Sequence, residues 1–475
     1  MTGGTAHELY QARIPIYPRS VHGRFRTLKW GILALAYGVY FLLPWVRWER
    51  TVGVPQAVSF DIEARRFYLF DLVVHAQDIF WLAGLLVIAA LLLFFVTGIA
   101  GRVFCGYFCF QTLWTDVFLL IERLVQGERP ARIRLDKQPW NAEKLAKKTL
   151  THFLWLGVGF WTGFTFTLYW GNAPELFRAF FTGTAPFPAY ATTLFITLTT
   201  YVMAGLAREQ VCTYMCPYSR FQGAMFDRST LIVAYDEKRG EGGNGRHKIV
   251  RGFKSREERQ VEGAGDCIDC GYCVQVCPTG IDIRNGLQNE CIACAACIDV
   301  CDDVMGKMGY APGLIRYSSG NAIAQSWSPR QMLARVWRPR VLIYGSLLLA
   351  ASLAFVISLS MRSGFGVDII RDRGALARET GKGRIENVYR LQIRNSTEQA
   401  QRFSVQVSGL PGLQLATPAQ LEVPAIGIAS MPVRLTLAQE QAEALRGHAN
   451  PIRFMITRDG DLRSSSEPST FFVPR

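Results

Sequence analysis

Apolar and polar positions follow two rhythms in this chain. Up to about residue 361, long and nearly continuous apolar runs alternate with basic stretches, and beyond it the two kinds alternate with period two. Five runs, at residues 30–48, 79–100, 149–170, 189–207 and 341–361, each hold roughly 19–22 mostly apolar residues, and a helix needs roughly 20 to cross the hydrocarbon of a bilayer. The fourth run is diluted by Thr192, Thr193, Thr197, Thr199 and Thr200, whose hydroxyls can bond back to the carbonyls of their own helix. Residues 60–75 are apolar but interrupted by Glu63, Arg65 and Arg66, and read as a segment lying at the membrane interface. The first run starts too late for a cleavable signal peptide and continues into Trp45, Arg47 and Trp48.

The second rhythm predicts strands. Tyr389, Leu391 and Ile393 face one way and Arg390, Gln392 and Arg394 the other. Phe403, Val405 and Val407 repeat the pattern, as do Val433, Leu435 and Leu437, and Phe454 with Ile456. About seven short strands with Gly, Pro and Asn breaks between them suggest an immunoglobulin-like sandwich without its disulfide, over residues 365–475.

Charge orients the spans. The net charge of +14 is concentrated between apolar runs. That fits the excess of basic residues on the cytoplasmic side and attraction to anionic lipid, or a docking face for an acidic electron donor. It argues against nucleic-acid binding. The tail before Trp30 carries Arg13, Arg19, Arg24, Arg26 and Lys29, and residues 101–148 carry nine Lys or Arg, whereas the loop between the third and fourth runs carries only Arg178. The N-terminus is therefore expected inside and, after five spans, the C-terminal sandwich outside.

All 12 cysteines fall into spaced groups. Cys267, Cys270, Cys273 and Cys277, followed by Pro278, form the bacterial ferredoxin run, and Cys291, Cys294, Cys297 and Cys301 repeat it, with Asp302 in place of the proline. In two-cluster ferredoxins the fourth cysteine of each run ligates the other cluster. One [4Fe–4S] cluster is thus expected on Cys267, Cys270, Cys273 and Cys301, and the other on Cys277, Cys291, Cys294 and Cys297. Zinc takes four cysteines in two pairs rather than a doubled quartet, and disulfides are reduced in the cytoplasm. The remaining four form a second repeat, Cys105-Gly-Tyr-Phe-Cys109 and Cys212-Thr-Tyr-Met-Cys216, each directly after an apolar run. On a helix, positions i and i+4 share a face, so each pair can hold one soft ion and the two repeats can present four sulfurs together. Met215 adds a thioether. Soft ligands of this kind favour Cu(I), zinc or iron–sulfur clusters. His75 and His247 read as structural or solvated.

The order of these parts resembles the cytochrome c oxidase accessory proteins of the FixG/CcoG type. The likeness rests on the paired Cys-x-x-x-Cys motifs, the tandem ferredoxin runs, a last span followed by Arg371-Asp372-Arg373, and a terminal sandwich. It covers nearly the whole chain. It implies a multi-domain protein of the bacterial inner membrane, built from a bundle of about five transmembrane helices, a cytoplasmic α+β two-cluster ferredoxin insert and a periplasmic all-β immunoglobulin-like sandwich. The layout is a tail (1–29), four spans with the thiol pairs (30–235), a Gly-rich linker (236–265), the ferredoxin (266–320), the fifth span (341–361) and the sandwich (365–475). The resemblance further implies an oxidoreductase that reduces Cu(II) to Cu(I) for assembly of a C-type oxidase, with Cys105, Cys109, Cys212 and Cys216 as the copper-reactive site. Its partners would be inner-membrane lipid, an unidentified electron donor, oxidase assembly factors or a copper chaperone or exporter, and a second copy of the chain. A quinol-oxidising membrane subunit and an assembly scaffold with structural clusters are the alternatives. In the family motif a proline follows the second cysteine of each pair. Pro217 keeps it, but Phe110 stands in the first motif, so that pair is expected in altered local geometry.

Overall fold

The computed structural model describes residues 15–75, 78–248, 256–362, 364–371, 377–380, 383–460 and 464–474. Arg13, Asp372, Arg373 and residues 249–255 of the expected linker lie outside them. The chain forms two compact units, one of Met1–Leu43, Trp81–Leu168 and Leu176–Leu353, the other of Pro44–Phe80, Tyr169–Glu175 and Ala354–Arg475.

Helices run in the order α1 (Arg24–Leu42), α2 (Ile79–Ala100), α3 (Val103–Tyr107), α4 (Phe110–Gln126), α5 (Arg129–Lys137), α6 (Ala142–Leu168), α7 (Ala173–Thr182), α8 (Phe187–Thr200) and α9 (Pro217–Met225). A π-helical stretch, Tyr201–Ala207, prolongs α8. Among the described residues, five stretches are long and apolar enough to cross a membrane: Arg24–Trp45, Ile79–Ala100, Val103–Gln126, Phe187–Ala207 and Pro339–Ser360. Four of them coincide with expected runs. The expected run 149–170 lies on α6, a 27-residue helix whose Thr, Gly and Trp lower its hydropathy, and Val103–Gln126 qualifies instead. That stretch is interrupted at Cys109, and its two carboxylates are buried in protein. Asp116 pairs with Lys29 at 2.7 Å and Arg26 at 3.1 Å, and Glu122 pairs with Arg132 at 3.1 Å and Arg208 at 3.2 Å.

The threonines of α8 behave as expected. Thr197 and Thr199 donate to the carbonyls of Thr193 and Phe195 at 2.6 and 2.7 Å. α8 packs closely on α6 because a Cβ on Gly163 would lie 2.5 Å from the Thr193 carbonyl oxygen, the small-residue contact typical of membrane helices.

The cysteine-rich segment is closed by an antiparallel ribbon of two strands, Ile232–Tyr235 and Ile315–Ser318. The expected linker is partly ordered, with Gly242 bridging Ala264 and Arg239 donating to Asp266 at 2.7 Å. Val233, Ile283, Ile298, Met305, Leu314 and Ile315 make its core.

In the other unit, residues expected at the membrane interface form a three-stranded antiparallel sheet, β1 (Val58–Asp61), β2 (Arg66–Leu69) and β3 (Leu72–His75). Arg65, at φ 55°, makes the turn between β1 and β2. Tyr68 and Val73 bury against Ile426 of the sandwich, so these apolar residues are covered by protein. His75 is buried beside Asp78, which also pairs with Arg362 and Arg394. Among the described residues the sandwich has nine strands in two sheets rather than about seven. Residues Gln414–Leu415, Ile428–Ala438, Arg384–Asn395 and Phe365–Arg371 are paired in that order, with Arg378–Thr380 added to Arg384–Asn395. The facing sheet orders Gln420–Val423, Gln401–Ser408, Ala449–Arg458 and Ser464–Phe472. Tyr389, Leu391, Ile393, Phe403, Val405, Val433, Leu435, Leu437, Phe454 and Ile456 fill the core between them.

Candidate functional site

The two ferredoxin runs share a backbone device. The residue before the second cysteine of each run has positive φ (Asp269 48°, Ala293 54°), and so does the residue after it (Gly271 68°, Ala295 59°). Left-handed residues in a tight loop turn successive N–H groups toward one point, which makes a concavity suited to an anion such as the sulfide of an iron–sulfur cluster. The spacing imposes this shape, since three cysteines at intervals of three can converge only if the backbone between them curls. Two cavities result. One is lined by Cys267, Cys270, Cys273 and Cys301. The other is lined by Cys277, Cys291, Cys294 and Cys297, with Cys273 at its edge. This grouping follows the interleaved pattern expected of the spacing. Burial pushes the Cys273, Cys291 and Cys301 thiols up to about 12 and that of Cys297 well above its usual value. Metal-free thiols here would be neutral, and a bound cation is what makes such sulfurs anionic. The donor set fits a pair of [4Fe–4S] clusters. Asp302 does not end its loop as Pro278 does. It lies within the helix Ala296–Lys307, where its carboxylate accepts the Gly313 N–H at 2.7 Å.

The second repeat is a break between helices rather than the continuous helix that i and i+4 spacing suggests. Cys105 lies in α3, while Cys109 is extended (φ −65°, ψ 124°) and caps α4. Cys212 lies in the π-helical turn Val211–Met215, and Cys216 is likewise extended (φ −77°, ψ 112°) and caps α9. The second cysteine of each pair donates its N–H five residues back, Cys109 to Phe104 at 3.0 Å and Cys216 to Val211 at 2.8 Å. Phe110 and Pro217 therefore occupy the same place, the first position of a helix. Proline is favoured there because its missing N–H has no partner to lose, and phenylalanine adopts the same backbone. The backbone at Phe110 matches that at Pro217, and the two pairs differ at their first cysteine, α-helical at Cys105 and π-helical at Cys212.

The fold brings both pairs together. Cys105 lies within electrostatic range of Cys109 and Cys212, and Cys212 within range of Cys109 and Cys216. All four are partly buried. Burial first, then these neighbouring sulfurs, push the Cys212 thiol up to about 11. Met215 is 59% exposed. The first of the two motifs adjoins the loop that lines the second ferredoxin cavity. A Cβ on Gly106 would lie 2.7 Å from the Ile292 carbonyl oxygen, so the first motif rests directly on the Cys291–Cys294 loop. Tyr107, buried, donates to the Cys294 carbonyl at 3.4 Å, and Tyr317 to that of Ala293 at 2.6 Å. Tyr214, its counterpart in the second motif, is 71% exposed.

Sequence reasoning missed two residues. Arg102 is buried, and its guanidinium donates to the carbonyls of Asn289 and Ser219. Its charge favours the thiolate of both Cys212 and Cys291. Gln222 is fully buried and accepts from the Cys105 thiol at 3.5 Å. The available signal was a cation directly after an apolar run, which also satisfies the topology rule and so draws no notice.

Two family profiles match the chain, one described as a 4Fe-4S dicluster domain over residues 207–320 and one as an Ig-like fold at the C-terminus of FixG over residues 355–474. Protein RdxA of Cereibacter sphaeroides is 41% identical over 439 residues, which cover 91% of each chain. The chain belongs to the FixG family. Protein RdxB of the same organism is 41% identical over 91% of this chain and 89% of its own. Nitrogen fixation protein FixG of Rhizobium meliloti is 39% identical over 87% and 82%. This FixG-family chain is a membrane protein of the iron–sulfur electron-transfer type, carrying a dicluster domain and a C-terminal Ig-like domain.

Proposed function

We propose that this protein is a cupric reductase serving the assembly of a C-type cytochrome oxidase. The observation that carries this reading is that Cys105, Cys109, Cys212 and Cys216 gather, partly buried, at a motif whose Gly106 rests on the Cys291–Cys294 loop. Cys267, Cys270, Cys273 and Cys301 would hold one [4Fe–4S] cluster, and Cys277, Cys291, Cys294 and Cys297 the other. When bound, the clusters supply reversible storage of single electrons.

The chain's own residues then handle the substrate. Cys105, Cys109, Cys212 and Cys216 take up Cu(II), and their protons leave as sulfur binds the ion. One electron reduces Cu(II) to Cu(I), and soft sulfur ligands favour the product and so add to the driving force. Arg102 offsets the gathered thiolate charge. Tyr107 and Gly106 hold the site against the cluster-bearing loop. Cu(I) is then passed to a chaperone or exporter. Positive charge in the N-terminal tail and after α2 supports a ferredoxin on the cytoplasmic side of the inner membrane and a sandwich in the periplasm.

Replacing Cys212 and Cys216 by Ser swaps soft ligands for hard neutral ones at nearly constant volume. Steady-state Cu(II) reduction and Cu(I) binding should fall sharply while iron stays at about eight per chain, as two clusters require. Met215→Leu should weaken Cu(I) retention more than reduction, because an exposed thioether is at most an exit ligand. Wild-type copper reduction by the double-serine protein would contradict the reading.

A further inference from the structure

The electron donor is not yet accounted for, and a cavity on the far face of α4 bears on it. It measures about 260 Å³ and is lined by Tyr17, Glu122, Asp136, His152, Trp155 and Leu206, among others. Small-molecule sites start near 300 Å³ for drug-sized ligands, so it suits a ring headgroup. One wall is the π-helical stretch Tyr201–Ala207, which ends at Arg208 with φ 48° and ψ −115°. Both π-helical turns and strained non-glycine residues concentrate at functional sites.

The lining has a definite chemistry. The His152 ring meets Trp155 edge-on at 5.2 Å, and its Nδ1 shares a hydrogen bond with the Tyr201 hydroxyl at 3.0 Å. Among the described residues its Nε2 makes no hydrogen bond. The Arg208 guanidinium lies over the Trp155 ring at 5.2 Å. Charges nearly cancel here. Glu122 is bound by Arg132 and Arg208, and Asp136 by Lys148 at 2.6 Å. A neutral ligand is favoured over an anion. The cavity lies beside α6 and the prolonged α8, and the latter, Phe187–Ala207, is long and apolar enough to cross a membrane, which suits a bilayer-soluble ligand. α4 also connects it to the clusters. Leu119 and Arg123, together with Glu122's partner Arg132, line a second cavity that includes Cys294.

We propose that this cavity binds a membrane hydroquinone and that the hydroquinone is the electron donor. A hydroquinone is neutral, aromatic and lipid-soluble, and it offers hydroxyl protons to an unpartnered imidazole nitrogen. Its oxidation to the quinone releases two electrons and two protons. The two clusters that the ferredoxin cysteines would hold have capacity for one electron each, which balances the pair released. His152 takes the protons one at a time at Nε2 and passes them to water on the open side. The inference rests on the cluster assignment but not on the copper reading, because cluster reduction is read without copper.

The test uses full-length protein with its clusters, in detergent and without oxygen. Binding of oxidised decylubiquinone is measured by equilibrium dialysis, and reduction by decylubiquinol is followed as loss of the clusters' visible absorption. Wild type should bind the quinone and bleach with the quinol. His152→Phe keeps a ring against Trp155 but removes both nitrogens, and Leu206→Trp fills the cavity. Both should keep wild-type iron and dithionite-reducible clusters, yet bind quinone about tenfold more weakly or worse, the scale of one lost hydrogen bond to a polar group. Wild-type quinone affinity in both variants, or clusters reduced by NADH and not by quinol, would overturn the proposal.

Discussion

Arg102 stands where three stretches of backbone meet: the end of α2, the start of α9 at Ser219, and the loop at Asn289 that leads into Cys291. Its two-pronged donation locks the thiol pairs to the ferredoxin, and its charge favours thiolate on both sides. Arg102→Gln should retain the fold but slow Cu(II) reduction by about ten- to a hundredfold, the usual scale for a residue that supports metal ligands without binding the metal. Arg102→Lys restores the charge but not the fork, so its rate should fall between. An unchanged rate in Arg102→Gln, measured with a Cu(I)-specific chelator, would remove the residue from the account. The grouping of the cysteines into two ferredoxin runs and two pairs was legible from spacing, because a cluster or ion that takes several sulfurs needs them at short intervals. Arg102 and Gln222 were not, because a buried side chain that acts through long-range contacts leaves no local pattern.

At the scale of elements, α1 meets the cysteine-rich segment through a cap supplied from far along the chain. The Asp299 carboxylate accepts the N–H groups of Phe25 and Arg26 at 3.2 and 2.8 Å, satisfying two free donors at the start of α1. Asp299 is buried between Cys297 and Cys301 on the helix Ala296–Lys307. Gly23 leaves room for it, since a Cβ there would lie 2.3 Å from the Asp299 side chain. Gly23→Ala should therefore cost about 1–3 kcal/mol, as overpacking does, and should speed hydrogen exchange at the first turn of α1. Exchange as slow as in wild type would show that the contact gives way freely. No periodicity in residues 15–29 announces this cap, because its acceptor lies more than 270 positions away. The strands of the sandwich were legible because alternate residues are buried. The sheet in residues 60–75 was not legible, since Tyr68 and Val73 bury against Ile426 while Ile62, Phe67, Leu69 and Phe70 stay exposed, and such a half-covered short sheet has the same composition as a membrane-surface segment.

Across the whole molecule, the number of crossings decides which unit faces which compartment. Hydropathy admits Val103–Gln126 and omits α6, yet α4 carries its carboxylates in buried pairs and α6 is long enough to span. If one of the two crosses, five crossings place the Ig-like domain opposite the ferredoxin. Periplasmic reporter fusions beyond residue 365 should then be active and fusions within residues 240–320 inactive. The reverse pattern would mean an even number of crossings, and equal activity at both would mean that Pro339–Ser360, the one span between the two domains, does not cross. The central claim is that electrons held by the clusters reach copper through the four thiols, and single-turnover kinetics tests it most directly. Protein reduced with dithionite, freed of excess reductant and mixed anaerobically with Cu(II), should recover its clusters' visible absorption as Cu(I) forms, one electron per ion. With Cys105, Cys109, Cys212 and Cys216 all replaced by Ser, the clusters should stay reduced over the same interval. Reoxidation of that quadruple variant at the wild-type rate would contradict the account.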